Sequence, residues 1–173
     1  MTEADEAVEE ETLVTGWQGR FFDDFSPGQV YRHPQGRTVS EADNTWFTLL
    51  TNNSHQAHFN TDYASKTPYG QLLVNSCLTL AIVTGLTVSD LSENAIANLG
   101  WEDVQLPNPV FVGDTLYAES RCLATRPSKS RPGCGIVRFS TRGFKQDGTT
   151  VMTFERSILV YGRDASPRAR GDR

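Results

Sequence analysis

The segment Asn52-Asn-Ser-His-Gln-Ala-His58 gathers more hydrogen-bonding and proton-transferring side chains than any other stretch of the chain. Two of the three histidines, His55 and His58, stand three residues apart within it. Histidine has an ordinary pKa close to neutrality, so an imidazole here could take a proton from water and return it to a substrate. On a helix the same spacing would converge both rings, as a metal pair requires, but no third ligand stands nearby. A blander reading is also open, in which these side chains only satisfy backbone groups around a helix end.

Two helices would have to position this segment. Ser40-Glu-Ala-Asp43 has the form of a helix start, with a serine cap and an acid three residues on. That helix should run to about Thr51 with Trp46, Leu49 and Leu50 on one face. Asp62–Lys66 fits a single helical turn, and Pro68-Tyr-Gly70 reads as a turn. From Leu72 to Thr87 the chain is apolar nearly all round, the mark of a buried helix. Before them, Gln29–Val39 is extended and interrupted at Pro34 and Gly36.

The second half changes period. Ala95–Leu106, Thr115–Thr125, Ile136–Lys145 and Val151–Val160 have strand character, and Thr115-Leu-Tyr-Ala-Glu-Ser alternates as a half-exposed strand should. Asp147-Gly148 is a hairpin signal. One long buried helix and an antiparallel sheet combine most economically as an α+β domain in which the sheet wraps the helix.

At 173 residues the chain is the size of one domain, and the formal charge of −5 is unevenly spread. Residues 1–11 carry six acids and no base, whereas the body without both ends has 13 acids against 12 bases. Residues 1–16 therefore read as a disordered acidic leader, 17–162 as the folded domain and 163–173 as a mobile polar tail. The acidic balance argues against nucleic acid as a partner. No secretory signal is seen, and the most apolar run, Leu72–Val88, is too short and polar to span a membrane. Three cysteines without CxxC spacing fit reduced thiols in a cytoplasm, most simply as core residues.

Thr51–His58, followed by Phe59, Tyr63-Ala64, Pro68-Tyr-Gly70 and Leu73-Val-Asn-Ser76, resembles the hydratase motif of the MaoC-like (R)-specific enoyl-CoA hydratases. Leu106-Pro-Asn-Pro-Val-Phe-Val-Gly-Asp-Thr-Leu116 resembles that family's second signature, and Gly19–Gly28 its usual opening. The resemblance covers about Gly19 to Tyr161. It implies the hot-dog fold, a homodimer or higher homo-oligomer, and the addition or removal of water at the α,β double bond of an acyl-CoA thioester. Coenzyme A is then part of the substrate, and no metal or redox cofactor is implied; an acyl-carrier thioester is an alternative substrate.

Carried over residue by residue, His58 is the acid/base, and the Ser76 N–H at the start of the long helix polarises the thioester carbonyl. Thr84 matches a position for a small hydroxyl, and Asn75 adds a polar group at the helix start. The departure is at Asn53, where the motif has aspartate; His55 and Gln56 also replace Asn-Pro. An amide exchanges no proton at a useful pKa. Asn53 would then only orient water, with His58 acting alone or with help from His55 or a substrate carboxylate. The replacement resembles a subgroup associated with small, branched or dicarboxylic acyl groups of the mesaconyl or itaconyl type. A non-catalytic thioester-binding protein and a hot-dog thioesterase are the alternatives. Arg126-Pro-Ser-Lys-Ser-Arg131, with Lys129 and Arg131, could hold the phosphates of coenzyme A or be a solvated basic turn. Trp101 reads as a core residue.

Overall fold

The computed structural model describes residues 16–167; the acidic stretch 1–15 and residues 168–173 lie outside the described residues. The first helix, α1 (Glu41–Leu50), begins as the sequence predicts. The Ser40 side chain accepts the Asp43 N–H at 3.1 Å, and the Asp43 carboxylate accepts the Ser40 N–H at 2.8 Å. Trp46, Leu49 and Leu50 do share a face, but it points outward, with Trp46 67 % and Leu50 75 % exposed. The buried face carries Asn44 and Thr48 instead.

After a 3₁₀ turn at Gln56–His58 and the short α2 (Thr61–Ser65), the central helix α3 spans Ser76–Leu86. It starts four residues later than the apolar run suggests. Residues 72–74 are extended: the Val74 N–H donates to the Val110 carbonyl at 2.9 Å, and Leu73 forms an antiparallel bridge with Phe111. Asn75 sets the start, its side-chain oxygen accepting the Cys77 N–H at 2.9 Å as an N-cap. Nor is α3 buried all round. Leu78, Thr79, Val83 and Leu86 face the sheet, while Cys77, Ala81 and Gly85 lie on an exposed stripe. Cys77 is therefore not a core residue, unlike Cys122 and Cys134; all three are free thiols.

The sheet comprises β1 (Val30–Arg32), β2 (Arg37–Thr38), β3 (Ala95–Gln105), β4 (Thr115–Pro127), β5 (Cys134–Lys145) and β6 (Thr150–Tyr161). The spatial order is β1-β4-β5-β6-β3, all antiparallel, with β2 also on β4. Alternation along β4 turns Leu116, Ala118, Ser120 and Cys122 inward. Cys122 joins a second cluster with Phe25, Leu91 and Phe139, while Leu116 and Ala118, together with Met152 and Phe154, meet Val74, Leu78, Val83 and Leu86 beneath α3. Each such large apolar side chain contributes about 1.5–3 kcal/mol on burial, so this contact fixes the helix on the sheet. Gly143 permits the approach, because a Cβ there would sit 2.6 Å from Val83.

Trp101 is not in the core: it is 43 % exposed on β3, an edge strand bonded only to β6. Ordered contacts continue past Gly162. Arg163 donates two hydrogen bonds to Asp24, at 2.7 and 2.9 Å, and its N–H donates to Asp23, which ties it to the N-terminal arm; residues 168–173 of the expected tail lie outside the described residues. The third histidine, His33, is buried between the Asp90 carboxylate (2.8 Å) and the Ser120 hydroxyl (3.0 Å), tying the N-terminal arm to the sheet. Burial holds its pKa below the usual histidine range despite Asp90. No helix among the described residues is long and apolar enough to cross a membrane.

Candidate active site

The site is organised by a buried asparagine that the sequence did not single out. Asn44, fully buried on α1, donates from Nδ2 to the carbonyls of His58 (2.8 Å) and Leu73 (3.0 Å). Its Oδ1 accepts the Asn75 N–H at 2.9 Å. One side chain thus joins the histidine segment to the strand-like approach and cap of α3. One turn later, Thr48 accepts a hydrogen bond from Asn75 Nδ2 at 3.3 Å, and its carbonyl accepts the Asn53 N–H at 3.0 Å. The available signal was two polar residues four apart on one face of an otherwise apolar-faced helix.

His58 Nδ1 lies 2.8 Å from the Leu73 carbonyl oxygen. A carbonyl can only accept, so Nδ1 carries the proton and, in the neutral ring, Nε2 carries the lone pair. That is the tautomer a general base needs. Three residues beyond Leu73, Ser76 occupies the first position of α3, and its N–H has no hydrogen-bond partner among the described residues. Unpaired N–H groups and the positive end of the helix dipole meet there, which suits a developing oxyanion.

Asn53 is half-buried at the end of α1, after Asn52 turns the chain with φ of +54°. Its Oδ1 accepts the His55 N–H at 3.0 Å, which leaves the Nδ2 hydrogens to donate to water or substrate. His55 is exposed, its ring 5.6 Å from that of His58 and 6.1 Å from that of Tyr63. Its Nδ1 accepts the Ala57 N–H at 3.3 Å, which leaves Nε2 facing outward. No group of three or more His, Cys, Asp or Glu side chains able to hold a metal ion occurs among the described residues.

A cavity of about 210 Å³ opens at the start of α3. Leu73, Ser76, Thr79 and Tyr69 form one side, and Leu106–Val110, from the second signature, the other. The turn that follows is closed by Asp114, which accepts the Phe111 N–H at 2.9 Å, and by Gly113 at φ of +96°. His58 is not itself a wall of this cavity; Leu73, which holds its ring, is.

Other sequence candidates are placed differently. Asn75 is buried, and its amide accepts the Cys77 N–H and donates to Thr48, so it shapes the helix start. Thr84 lies two turns down α3, its Oγ1 buried and without a hydrogen-bond partner among the described residues. Lys129 and Arg131 sit in the β4–β5 hairpin, at the opposite end of β4 from Thr115 and the Asp114 turn. Thirteen residues of strand separate those ends by roughly 40 Å, so one chain does not bring the hairpin to its own helix start.

Comparison with known proteins places the chain in a family. The sequence model of a family described as mesaconyl-CoA hydratase matches residues 4–172. The chain belongs to that family. Members resemble it over most of its length: the mesaconyl-CoA hydratase of Cereibacter sphaeroides is 34 % identical over 151 residues, which is 87 % of this chain and 44 % of the relative. A MaoC domain dehydratase from Chloroflexus aurantiacus superposes with a TM-score of 0.82 at 32 % identity, covering 88 % of this chain and 43 % of that one. A Mycobacterium tuberculosis protein described as a double hot-dog fold superposes with a TM-score of 0.74 at 21 % identity, covering 84 % and 45 %. The fold is the hot dog, and the chain spans less than half the length of the mesaconyl-CoA hydratases it matches.

Proposed function

We propose that this chain is a hydratase or dehydratase acting on a small acyl-CoA thioester of the mesaconyl or itaconyl type. The observation that carries the reading is the His58 imidazole, fixed by the Leu73 carbonyl in its basic tautomer three residues before a free helix-start N–H. The names of the relatives support the same chemistry. The modest cavity beside Ser76 suits a short acyl group.

In the hydration direction the thioester oxygen rests on the Ser76 N–H. Asn53 Nδ2 orients a water. His58 Nε2 takes one proton from that water as its oxygen bonds to the β-carbon, and negative charge moves to the thioester oxygen. The imidazolium then returns the proton to the α-carbon, so one water is added and the imidazole is restored. Dehydration is the reverse. Coenzyme A or an acyl carrier belongs to the substrate, and we assign the chain no metal or redox cofactor of its own. We assign His55, exposed beside the His58 ring, a contact with the substrate. We place the protein in the cytoplasm on the strength of its three free thiols.

We also propose that it works as a homodimer. The β3 edge is 11 residues long and bonded on one side only, with Leu99, Trp101, Val104 and Leu106 exposed along and just beyond it. Such an edge calls for a cover, and the relatives are about twice as long.

Asn53 favours one rival, a thioester-binding protein without turnover, because the second proton-transfer group of the parent motif is missing. Incubation with crotonyl-, mesaconyl- and itaconyl-CoA while following enoyl-thioester absorbance separates the two. Loss of absorbance with mesaconyl-CoA, abolished in His58→Ala, is expected. Binding without any spectral change would favour the rival, and release of free thiol would make the protein a thioesterase.

A further inference from the structure

The two neighbouring histidines are held in opposite tautomers. His58 Nδ1 donates to the Leu73 carbonyl at 2.8 Å, which leaves the lone pair on Nε2. His55 does the reverse. It is the N-cap of the 3₁₀ turn Gln56–His58, and its Nδ1 accepts the Ala57 N–H at 3.3 Å. A backbone N–H can only donate, so Nδ1 keeps its lone pair and the neutral ring carries its proton on Nε2. The ring centroids are 5.6 Å apart, and Tyr63 packs edge-on against His55 at 6.1 Å and 89°. A proton acceptor and a hydrogen-bond donor therefore stand side by side. Asn53 adds donors to the same segment, because the His55 N–H occupies its Oδ1 at 3.0 Å and its Nδ2 hydrogens are left over.

No group among the described residues accepts the His55 Nε2–H or the Asn53 Nδ2 hydrogens. A carboxylate suits them, since it accepts without donating and its charge strengthens each bond. No basic side chain nearby is free to take that part. Lys66 is paired with Asp62 at 2.6 Å, Lys145 with Asp114 at 2.7 Å and Arg37 with Asp43 at 2.8 Å. The spacing of the rings also says where on the substrate such a carboxylate belongs. His58 Nε2 serves the water that bonds to the β-carbon, and the thioester oxygen is committed to the Ser76 N–H. A group held by the ring next to His58 must therefore leave from the β-carbon itself.

We propose that His55 is a specificity-determining residue whose Nε2–H holds a free carboxylate carried on the β-carbon of the enoyl thioester. The inference rests on the hydratase reading above and narrows its substrate. Of the mesaconyl and itaconyl types, only the mesaconyl thioesters have both the α,β double bond and a carboxylate on its β-carbon. A crotonyl thioester has a methyl group in that place and leaves the donor unused.

Two variants separate the two ring nitrogens. His55→Asn keeps an oxygen able to cap Ala57 but has no N–H that reaches as far as Nε2, whereas His55→Gln puts an amide N–H where Nε2 was. Calorimetry with saturated thioesters reads binding without turnover. Succinyl-CoA carries a carboxylate on the β-carbon, butyryl-CoA a methyl there, and glutaryl-CoA a carboxylate one carbon further on. The wild type should bind succinyl-CoA about tenfold or more tightly than butyryl-CoA, the worth of one hydrogen bond to a charged group. That ratio should fall to near one in His55→Asn, with the melting temperature unchanged, and most of it should return in His55→Gln. The ratio of kcat/KM for mesaconyl-CoA over crotonyl-CoA should follow the same pattern. An unchanged ratio in His55→Asn would overturn the proposal, and so would an equal loss in both variants, which would assign the effect to the shape of the ring. Glutaryl-CoA bound as tightly as succinyl-CoA would overturn the placement at the β-carbon. A succinyl preference that depends on His55, without turnover of any enoyl thioester, would support the subsite and remove the hydratase reading; turnover with an unchanged ratio would do the opposite.

Discussion

Replacing Asn44 by alanine should damage stability and catalysis together. The change removes three hydrogen bonds, of 2.8, 3.0 and 2.9 Å, from a fully buried group. At about 1 kcal/mol net for each bond the loss is roughly 3 kcal/mol. The orphaned groups push it higher. The Leu73 carbonyl keeps the His58 ring as a donor, but the buried Asn75 N–H loses its acceptor, and stranding such a group costs about 1–3 kcal/mol. The expected total is about 4–6 kcal/mol, a large share of the ~5–15 kcal/mol available to a domain, so the variant should fold when cold and melt early. Urea unfolding at low temperature measures the first effect. In protein still folded, kcat should drop by about a hundredfold, because an ångström of slack between His58 and the helix start loses that much. KM should move far less. Asn44→Asp supplies the control. It preserves shape and the acceptor for Asn75, but sets a carboxylate against two carbonyls; its stability should rise on acidification as a hydroxyl donor is regained. A folded Asn44→Ala protein with wild-type kcat would show that this residue does not position the catalytic groups, and a loss below about 1 kcal/mol would refute the hydrogen-bond accounting.

Other substitutions probe other links. Asn53→Asp keeps an acceptor for the His55 N–H and adds a base, so crotonyl-CoA hydration should rise by about tenfold or more while mesaconyl-CoA, with its own carboxylate, gains less; equal gains would detach Asn53 from substrate choice. Acidification should destabilise the fold through His33. Burial depresses its folded pKa below the unfolded value of about 6.5, so the unfolded chain binds the proton first and stability falls below that pH at up to about 1.4 kcal/mol per unit. The decline stops at the folded pKa. Melting curves between pH 7.5 and 5 should lose this slope in His33→Gln; an identical slope in both would assign the acid sensitivity elsewhere.

The order of elements, the capping box at Ser40, the Asp147-Gly148 hairpin and the sheet around a central helix were legible because each depends on local chemistry or on period. The histidine and the helix-start N–H proposed for the site were legible through the motif. What the sequence concealed depends on the other side of a contact. Apolar Trp46 and Leu50 look like core, yet the groups that α1 must satisfy are the polar backbones of His58, Leu73 and Asn75, so Asn44 and Thr48 turn inward. The start of α3 slipped from Leu72 to Ser76 because residues 72–74 pair with residues 110–111, a long-range bond that hydrophobicity does not encode. Trp101 is exposed because β3 is an edge, and topology alone decides that. Lys129 and Arg131 looked like site residues on charge; the strand register sends them to the end of the sheet away from the start of α3.

The most direct test of the catalytic account is Ser76→Pro. Proline is well tolerated at the first position of a helix, and Asn75, at φ of −59° and ψ of 130°, already has the conformation that a residue before proline prefers. The substitution therefore deletes one N–H while leaving α3 in place. With mesaconyl-CoA as substrate, kcat should fall by about 10²–10³, the loss expected for one oxyanion donor, with the circular dichroism and melting temperature close to wild type. A folded Ser76→Pro protein that hydrates mesaconyl-CoA at the wild-type rate would contradict the account, because the thioester oxygen would then have to be polarised by some other group.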